Sequence, residues 1–163
     1  MCNEKDLEEK ECEESVLYRK KREKLKNATR QTENVMRESL GSIAEFLVRK
    51  TKTSKEAINT IELIGALSKT EISFSENDEF TIKFQRKKAS GKISTNFKSE
   101  EKMTKALNEI KALRGFINSR ISKAGELGNK KDEIKINIRK VLNRLEEAFV
   151  EFSELKGFNL TKM

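Results

Sequence analysis

Residues 70–97 read TEISFSENDEFTIKFQRKKASGKISTNF, and the pattern of this stretch decides the fold. Apolar residues take alternate positions in three runs, which is typical of half-buried antiparallel strands. Turn residues separate the runs at 76–79 and at 86–91, where a lysine-rich loop closes on Ser90 and Gly91. We therefore predict a three-stranded meander with one apolar and one polar face. The apolar positions are Ile72, Phe74, Phe80, Ile82, Phe84, Ile93 and Phe97.

Helical patterns precede this stretch. Apolar or small residues recur at three- and four-residue spacing over 16–40, and Gly41 followed by Ser42 predicts a helix stop or sharp kink. Two more helical patterns follow over 43–48 and 58–67.

Two long amphipathic patterns come after the strands. The first opens at Ser99, a candidate N-cap, and the second meets Gly157 and Phe158, which predict a Schellman-type end. Both are long enough to pair antiparallel. The order of helices, a three-stranded antiparallel meander and two long antiparallel helices predicts an α+β domain. We expect its helical layer to cover the phenylalanine-rich face of the sheet.

The chain has 163 residues, which is the size of one domain. Residues 1–15, the acidic leader, hold seven acidic residues and two lysines, and this segment is either a flexible, solvated tether or a helix extension without a buried face. Residues 16–163 then form a single domain.

Composition argues against an enzyme. The chain contains no histidine, which removes the commonest general base near neutral pH and the commonest ligand of catalytic zinc. Carboxylate, lysine and cysteine chemistry survive this exclusion. The seven glycines match neither the P-loop nor the dinucleotide fingerprint. We therefore predict a protein that is not an enzyme and uses no cofactor or metal.

The formal net charge of +8 permits binding to anionic partners. One basic cluster, over 19–26, spreads around a helix. The other comprises Arg86, Lys87 and Lys88 with Lys92 at a hairpin tip, where a loop is able to reach a phosphate or sulfate. A merely solvated basic surface is the alternative for both. The anionic partners that this charge permits include a glycosaminoglycan, an acidic lipid and nucleic acid.

Two cysteines lie in the acidic leader, at Cys2 and Cys12. They are either idle thiols or, for Cys2, a candidate lipid attachment point at the start of a polar tether. No apolar stretch reaches the roughly 18 residues that span a bilayer, so we expect membrane contact only through such a lipid.

Two features resemble plasmid-encoded surface lipoproteins of Borrelia spirochaetes: the lysine, glutamate, asparagine and isoleucine bias, and the opening Cys2-Asn3-Glu4-Lys5. Within that group, the segment LYRKKR at 17–22 and the overall size resemble the exported plasmid protein (EppA/BapA) family. The resemblance implies a non-enzymatic protein that is secreted or held on the outer membrane surface, where it meets the host. We therefore expect it to bind a host protein or a polyanion such as a glycosaminoglycan, with an intracellular nucleic-acid-binding module as the alternative. Only Cys2 carries over as a residue, as the possible lipid site.

Overall fold

A computed structural model describes residues 6–42, 62, 64–86, 89–122 and 129–160 of the chain. Helix α1 (Asp6–Val35) continues into a π-helical turn (Met36–Leu40). Strands β1 (Glu71–Phe74), β2 (Phe80–Arg86) and β3 (Ala89–Thr95) follow, and then helices α2 (Glu100–Ser122) and α3 (Asn129–Leu155). The order of the elements and the antiparallel sheet β1-β2-β3 confirm the predicted α+β architecture.

The helices form one layer on the apolar face of the sheet, with α3 between α1 and α2. Helix α3 presents Phe149 to Phe80 at a ring-centroid distance of 4.9 Å and Phe152 to Phe74 at 5.3 Å. Phe80, Phe149 and Phe152 are fully buried. The burial of each such side chain contributes roughly 1.5–3 kcal/mol, so this aromatic cluster holds sheet and helices together.

Both flanking helices run antiparallel to α3. Along α1, the hydroxyl of Thr32 donates to the carbonyl oxygen of Val141 at 3.3 Å, and the ring of Tyr18 lies 5.8 Å from that of Phe152. Residue numbers therefore rise along one helix as they fall along the other. On the other side, Lys111 of α2 pairs with Glu146 of α3 at 3.8 Å, and Arg114, three residues later, donates to Asn143, three residues earlier.

The predicted start of α2 and the predicted end of α3 are both confirmed. The amide of Lys102 donates to the Ser99 side-chain oxygen at 3.4 Å, which caps α2. At the end of α3, the amide of Phe158 donates to the Ser153 carbonyl oxygen at 2.9 Å, and Gly157 has a φ of +94°. These bonds form the predicted Schellman motif.

The helix stop or sharp kink was predicted at Gly41, but this residue is itself helical, and the chain after Ser42 lies outside the described residues. Gly41 has helical angles of −62° and −45°, and the irregularity in the helix is the π-helical turn before it. Met36 and Leu40 in this turn are both fully buried. Their packing outweighs the roughly 1 kcal/mol that one glycine costs a helix, so the chain stays helical through Gly41 and Ser42.

The predicted loop at 86–91 is too long. Arg86 pairs with Ala89 across β2 and β3, so the hairpin connection is only residues 87–88. Gly91 lies within β3 because the ring of Phe84 covers it, and a Cβ atom there would lie 2.4 Å from the ring carbon Cζ. The glycine therefore makes room for an aromatic side chain and does not form a turn.

Strand β3 also ends sooner than predicted. It stops at Thr95, and Phe97 follows with a φ of +62°, which is rare for a bulky residue. Phe97 is nevertheless only 2% exposed, because its ring contacts Phe149 and Phe152. The core position was thus predicted and the backbone conformation was not.

The predicted leader and several helical predictions fall partly or wholly outside the described residues. Helix α1 begins at Asp6, so residues 6–15 are a helix extension, and the division of the chain at residue 15 remains a prediction. The predicted helix at 43–48 lies outside the described residues. Only residues 62 and 64–67 of the 58–67 pattern are described as helical, with Ile64 and Leu67 buried as expected.

Candidate anion-binding face of the β2–β3 hairpin

The sheet turns its polar side away from the helical layer. Residues 83, 85, 90 and 92 of the β2–β3 hairpin lie on this side, and we call them the hairpin face. Lys83 stands directly opposite Lys92, and Gln85 stands opposite Ser90. All four side chains are exposed. The hairpin face is therefore flat, polar and positively charged.

Two like charges opposite each other destabilise a strand pair, by an amount within roughly 0.2–1 kcal/mol. Lys83 and Lys92 make no ion pair with the described side chains. Glu71 stands opposite Lys83 on the β1 side, so the row across the sheet reads acid, base, base. The pair keeps its charge facing solvent, where an anionic group has room to approach.

The structure describes only some of the predicted site residues. Lys92 is on the exposed hairpin face, and Arg86 is the last residue of β2. Lys87, Lys88 and Cys2 lie outside the described residues, as do the side-chain contacts of Arg86. Lys83 was not among the predicted site residues. The strand alternation shows that it shares a face with Lys92 once the hairpin register is known.

The basic cluster over 19–26, on α1, differs because several of its side chains pair with acidic residues of the same molecule. The Lys21 ammonium lies 2.7 Å from Glu151 Oε1 of α3, and Lys24 donates to the other carboxylate oxygen of Glu151. Lys24 also reaches Glu147 at 3.5 Å. The hydrogen bond to Glu151 raises the pKa of Lys24. Burial acts to raise the pKa of Glu151, but the bonds from both lysines outweigh it and lower that pKa. These lysines therefore join two helices.

Arg22 of the same cluster ties α1 to the turn between β1 and β2. Its Nε donates to Asp78 Oδ1 at 2.9 Å, and its other end donates to the carbonyl oxygen of Ser75. The hydroxyl of Tyr18 donates to Asp78 Oδ2, and Lys156 lies 3.5 Å from the same oxygen. We call Tyr18, Arg22, Asp78 and Lys156 the turn clamp.

The turn clamp is half-buried, and both of its cations lie against the Asp78 carboxylate. Side chains of Arg22 and Asp78 are 14% and 15% exposed. Burial and the hydrogen bond to Asp78 raise the pKa of Tyr18 to about 12. The Arg22 guanidinium also lies over the ring of Phe74, 5.0 Å from its centroid. Because Arg22 and Lys156 already pair with Asp78, the turn clamp stabilises the fold and is a poor site for an external anion.

The free edge of β1 is also closed by α1. The amide of Ile72 donates to Glu33 Oε2 at 2.9 Å, and Glu33 pairs in turn with Arg37 at 2.8 Å. A side-chain acceptor thus occupies a position where another strand would otherwise add. Exposed features of the sheet therefore concentrate on its polar side.

Within the described residues, no group of three or more acidic, histidine or cysteine side chains is placed to hold a metal ion. None of the helices in the described part of the chain is long and apolar enough to cross a bilayer. No protein-family model matches the chain, and no curated protein or solved structure matches it.

Proposed function

We propose that this protein is a binding protein without catalytic activity and that its hairpin face holds a polyanion, such as a sulfated glycosaminoglycan. One observation carries the proposal: Lys83 and Lys92 are exposed, directly opposed and without an ion-pair partner in the described structure. Sulfate groups repeated along a polymer neutralise both ammonium groups at once. The bases at 86–88 extend the positive charge toward the hairpin tip.

The contrast between the two basic clusters supports this choice. Lys21 and Lys24 of α1 are paired to acids of α3, whereas Lys83 and Lys92 make no ion pair within the described part of the chain. A like-charge pair costs stability in the absence of a ligand. A purely structural role does not explain such a pair, but a role in binding does.

The polar neighbours suit a sulfated or hydroxylated polymer. Gln85 and Ser90 stand beside the lysines on the hairpin face, and Ser73 and Ser94 continue the polar side of the sheet. These side chains both donate and accept hydrogen bonds. Phenylalanines of the strands lie on the other side, against the helices. The hairpin face therefore lacks aromatic rings on which nucleic acid bases would stack.

The proposal places the protein outside the cell, secreted or on the outer membrane surface. The resemblance to Borrelia surface lipoproteins supports this location. Cys2 is the residue that would carry a lipid anchor, and a host protein with a sulfated or acidic surface is the partner of the same chemical class. Loss of lipid labelling in a Cys2→Ala variant would test the anchor.

Binding to immobilised heparin tests the function. We expect the double variant Lys83→Gln/Lys92→Gln to elute at lower salt than the parent protein, with an unchanged or higher melting temperature because a repulsion has been removed. Conversely, Glu71→Gln should raise the elution salt, since it removes the one acid in the row. Salt-dependent binding to duplex DNA that exceeds binding to heparin would instead favour an intracellular nucleic-acid-binding module.

A matched control removes two positive charges elsewhere. Lys140 and Arg144 are exposed on α3, and Lys140 lies nine residues from Phe149, about 180° away around the helix. It therefore faces away from the sheet. The variant Lys140→Gln/Arg144→Gln should retain the heparin affinity that the hairpin variant loses. An equal loss in both variants would contradict a localised site.

A further inference from the structure

The helical part of the acidic leader and the basic hairpin face lie at opposite ends of the fold. Helix α3 ends at Leu155, and Phe152 packs on Tyr18 of α1. Because the two helices are antiparallel, residues 6–15 of α1 lie beyond the last turn of α3. They add about 15 Å of helix at this end, and they belong to the acidic leader.

Lys83, Lys92 and the end of β2 lie at the other end of the fold. The turn between β1 and β2 contacts Tyr18 and Arg22 through Asp78, whereas Ile72, near the start of β1, contacts Glu33. Tyr18 and Glu33 are 15 residues apart on one helix, or about 22 Å. The antiparallel meander puts the Arg86 end of β2 on the Glu33 side. The helical part of the acidic leader therefore points away from the basic hairpin of its own molecule.

The two ends carry complementary charge. Residues 1–15 hold seven acids and two lysines, and residues 83–92 hold five bases and no acid. In local net charge this is −5 against +5. The described helical part of the acidic leader lies at the opposite end of the molecule from Lys83 and Lys92, which make no ion pair with the described side chains. These two groups of opposite charge are able to meet between two molecules.

We propose that the hairpin face of one molecule binds the acidic leader of a second copy, so that the protein associates head to tail. Such an interface is heterologous, since it joins two different surfaces and leaves one of each free at the ends. It uses the basic surface that the proposed function assigns to a polyanion, so a polyanion competes with the second copy. The association itself does not require the polyanion.

Sedimentation velocity over a concentration series tests the association. At an ionic strength of about 0.01 M, where the screening length is ~30 Å, the average mass should rise with concentration. At about 1 M, where that length is ~3 Å, the protein should be monomeric. A monomer throughout the series at low salt would overturn the proposal.

Two complementary variants test the head-to-tail geometry. One replaces Glu8, Glu9, Glu11, Glu13 and Glu14 by Gln, and the other is Lys83→Gln/Lys92→Gln. Each variant alone lacks one of the two surfaces and should be monomeric at low salt. An equimolar mixture retains one intact surface of each kind, so it should form a one-to-one dimer that does not grow further.

Controls separate this inference from the proposed function. The variant Lys140→Gln/Arg144→Gln should associate like the parent protein, and far-ultraviolet circular dichroism verifies that each variant is folded. Association of either single-surface variant on its own, or a monomeric mixture, would refute the head-to-tail interface. The leader variant should still bind heparin, so a failure to associate in the parent protein, with heparin binding retained, counts against this inference alone.

Discussion

Tyr18 is the single tyrosine of a chain without tryptophan, so alkaline titration of its near-ultraviolet absorbance reports one site. In the folded protein, burial and the hydrogen bond to Asp78 raise its pKa from 10.0 to about 12. We expect half of the tyrosinate signal to appear near that value. In denaturant the same residue should titrate near 10.

The difference between the folded and unfolded pKa values of Tyr18 gives the size of its contribution to the free energy of unfolding. A change of two pH units is a hundredfold change in the ionisation equilibrium, or at most about 2.7 kcal/mol for a half-buried group. The folded-state pKa of Tyr18 is raised, so this stabilisation is fully present below pH 10. It is lost as the pH rises from 10 toward about 12.

The variant Asp78→Asn isolates the part that the carboxylate supplies. Asn tolerates the left-handed conformation of this position, where φ is +59°, so the turn should persist. The pKa of Tyr18 should move toward 10.0 without reaching it, because burial remains. A folded parent protein in which Tyr18 titrates near 10 would refute the hydrogen bond between Tyr18 and Asp78 and, with it, the turn clamp.

Three further predictions concern stability. Phe80→Ser should lower the free energy of unfolding by at least the ~3–5 kcal/mol of a Phe-to-Ala change, because Phe80 is fully buried, and an unchanged melting temperature would contradict its inward position. Gly91→Ala should cost roughly 1–3 kcal/mol through its clash with Phe84, and the cost should disappear in a Phe84→Ala background, as a double-mutant cycle in urea would show. The pKa of Glu151 is lowered, so the stability that its ionised form contributes should be present above pH 4.5 and lost as the pH falls below that value. Acid unfolding curves of Glu151→Gln should therefore depend less on pH than those of the parent protein.

The sheet was predictable because one of its faces is buried. Alternation of apolar and polar residues is imposed wherever a strand packs on one side, and Phe74 and Phe80 lie on the buried side as expected. The ends of the strands were less predictable. Ser90 and Gly91 have the composition of a turn, and only the position of the Phe84 ring shows why a glycine is needed within a strand.

The candidate site was predictable only in part. Lys92 was found because it lies in a basic loop pattern, whereas Lys83 requires the register that sets it opposite Lys92. On α1 the sequence shows a basic residue but not its acidic partner, because the two lie far apart in the chain. Lys24 and Glu151 are 127 residues apart in the chain, so local sequence does not reveal that Lys24 is paired.

The central claim is that the hairpin face binds a polyanion through Lys83 and Lys92, and the salt dependence of heparin affinity tests it most directly. For nucleic acids, whose counterions are condensed, each phosphate that a protein cation neutralises adds about 0.7–0.9 to the steepness of log affinity against log salt. Because heparin is also a densely charged polyanion, we predict a similar decrease in steepness for each of the two lysines replaced in Lys83→Gln/Lys92→Gln. The steepness should be unchanged in Lys140→Gln/Arg144→Gln. The same slope in the parent protein and the hairpin variant would contradict the account.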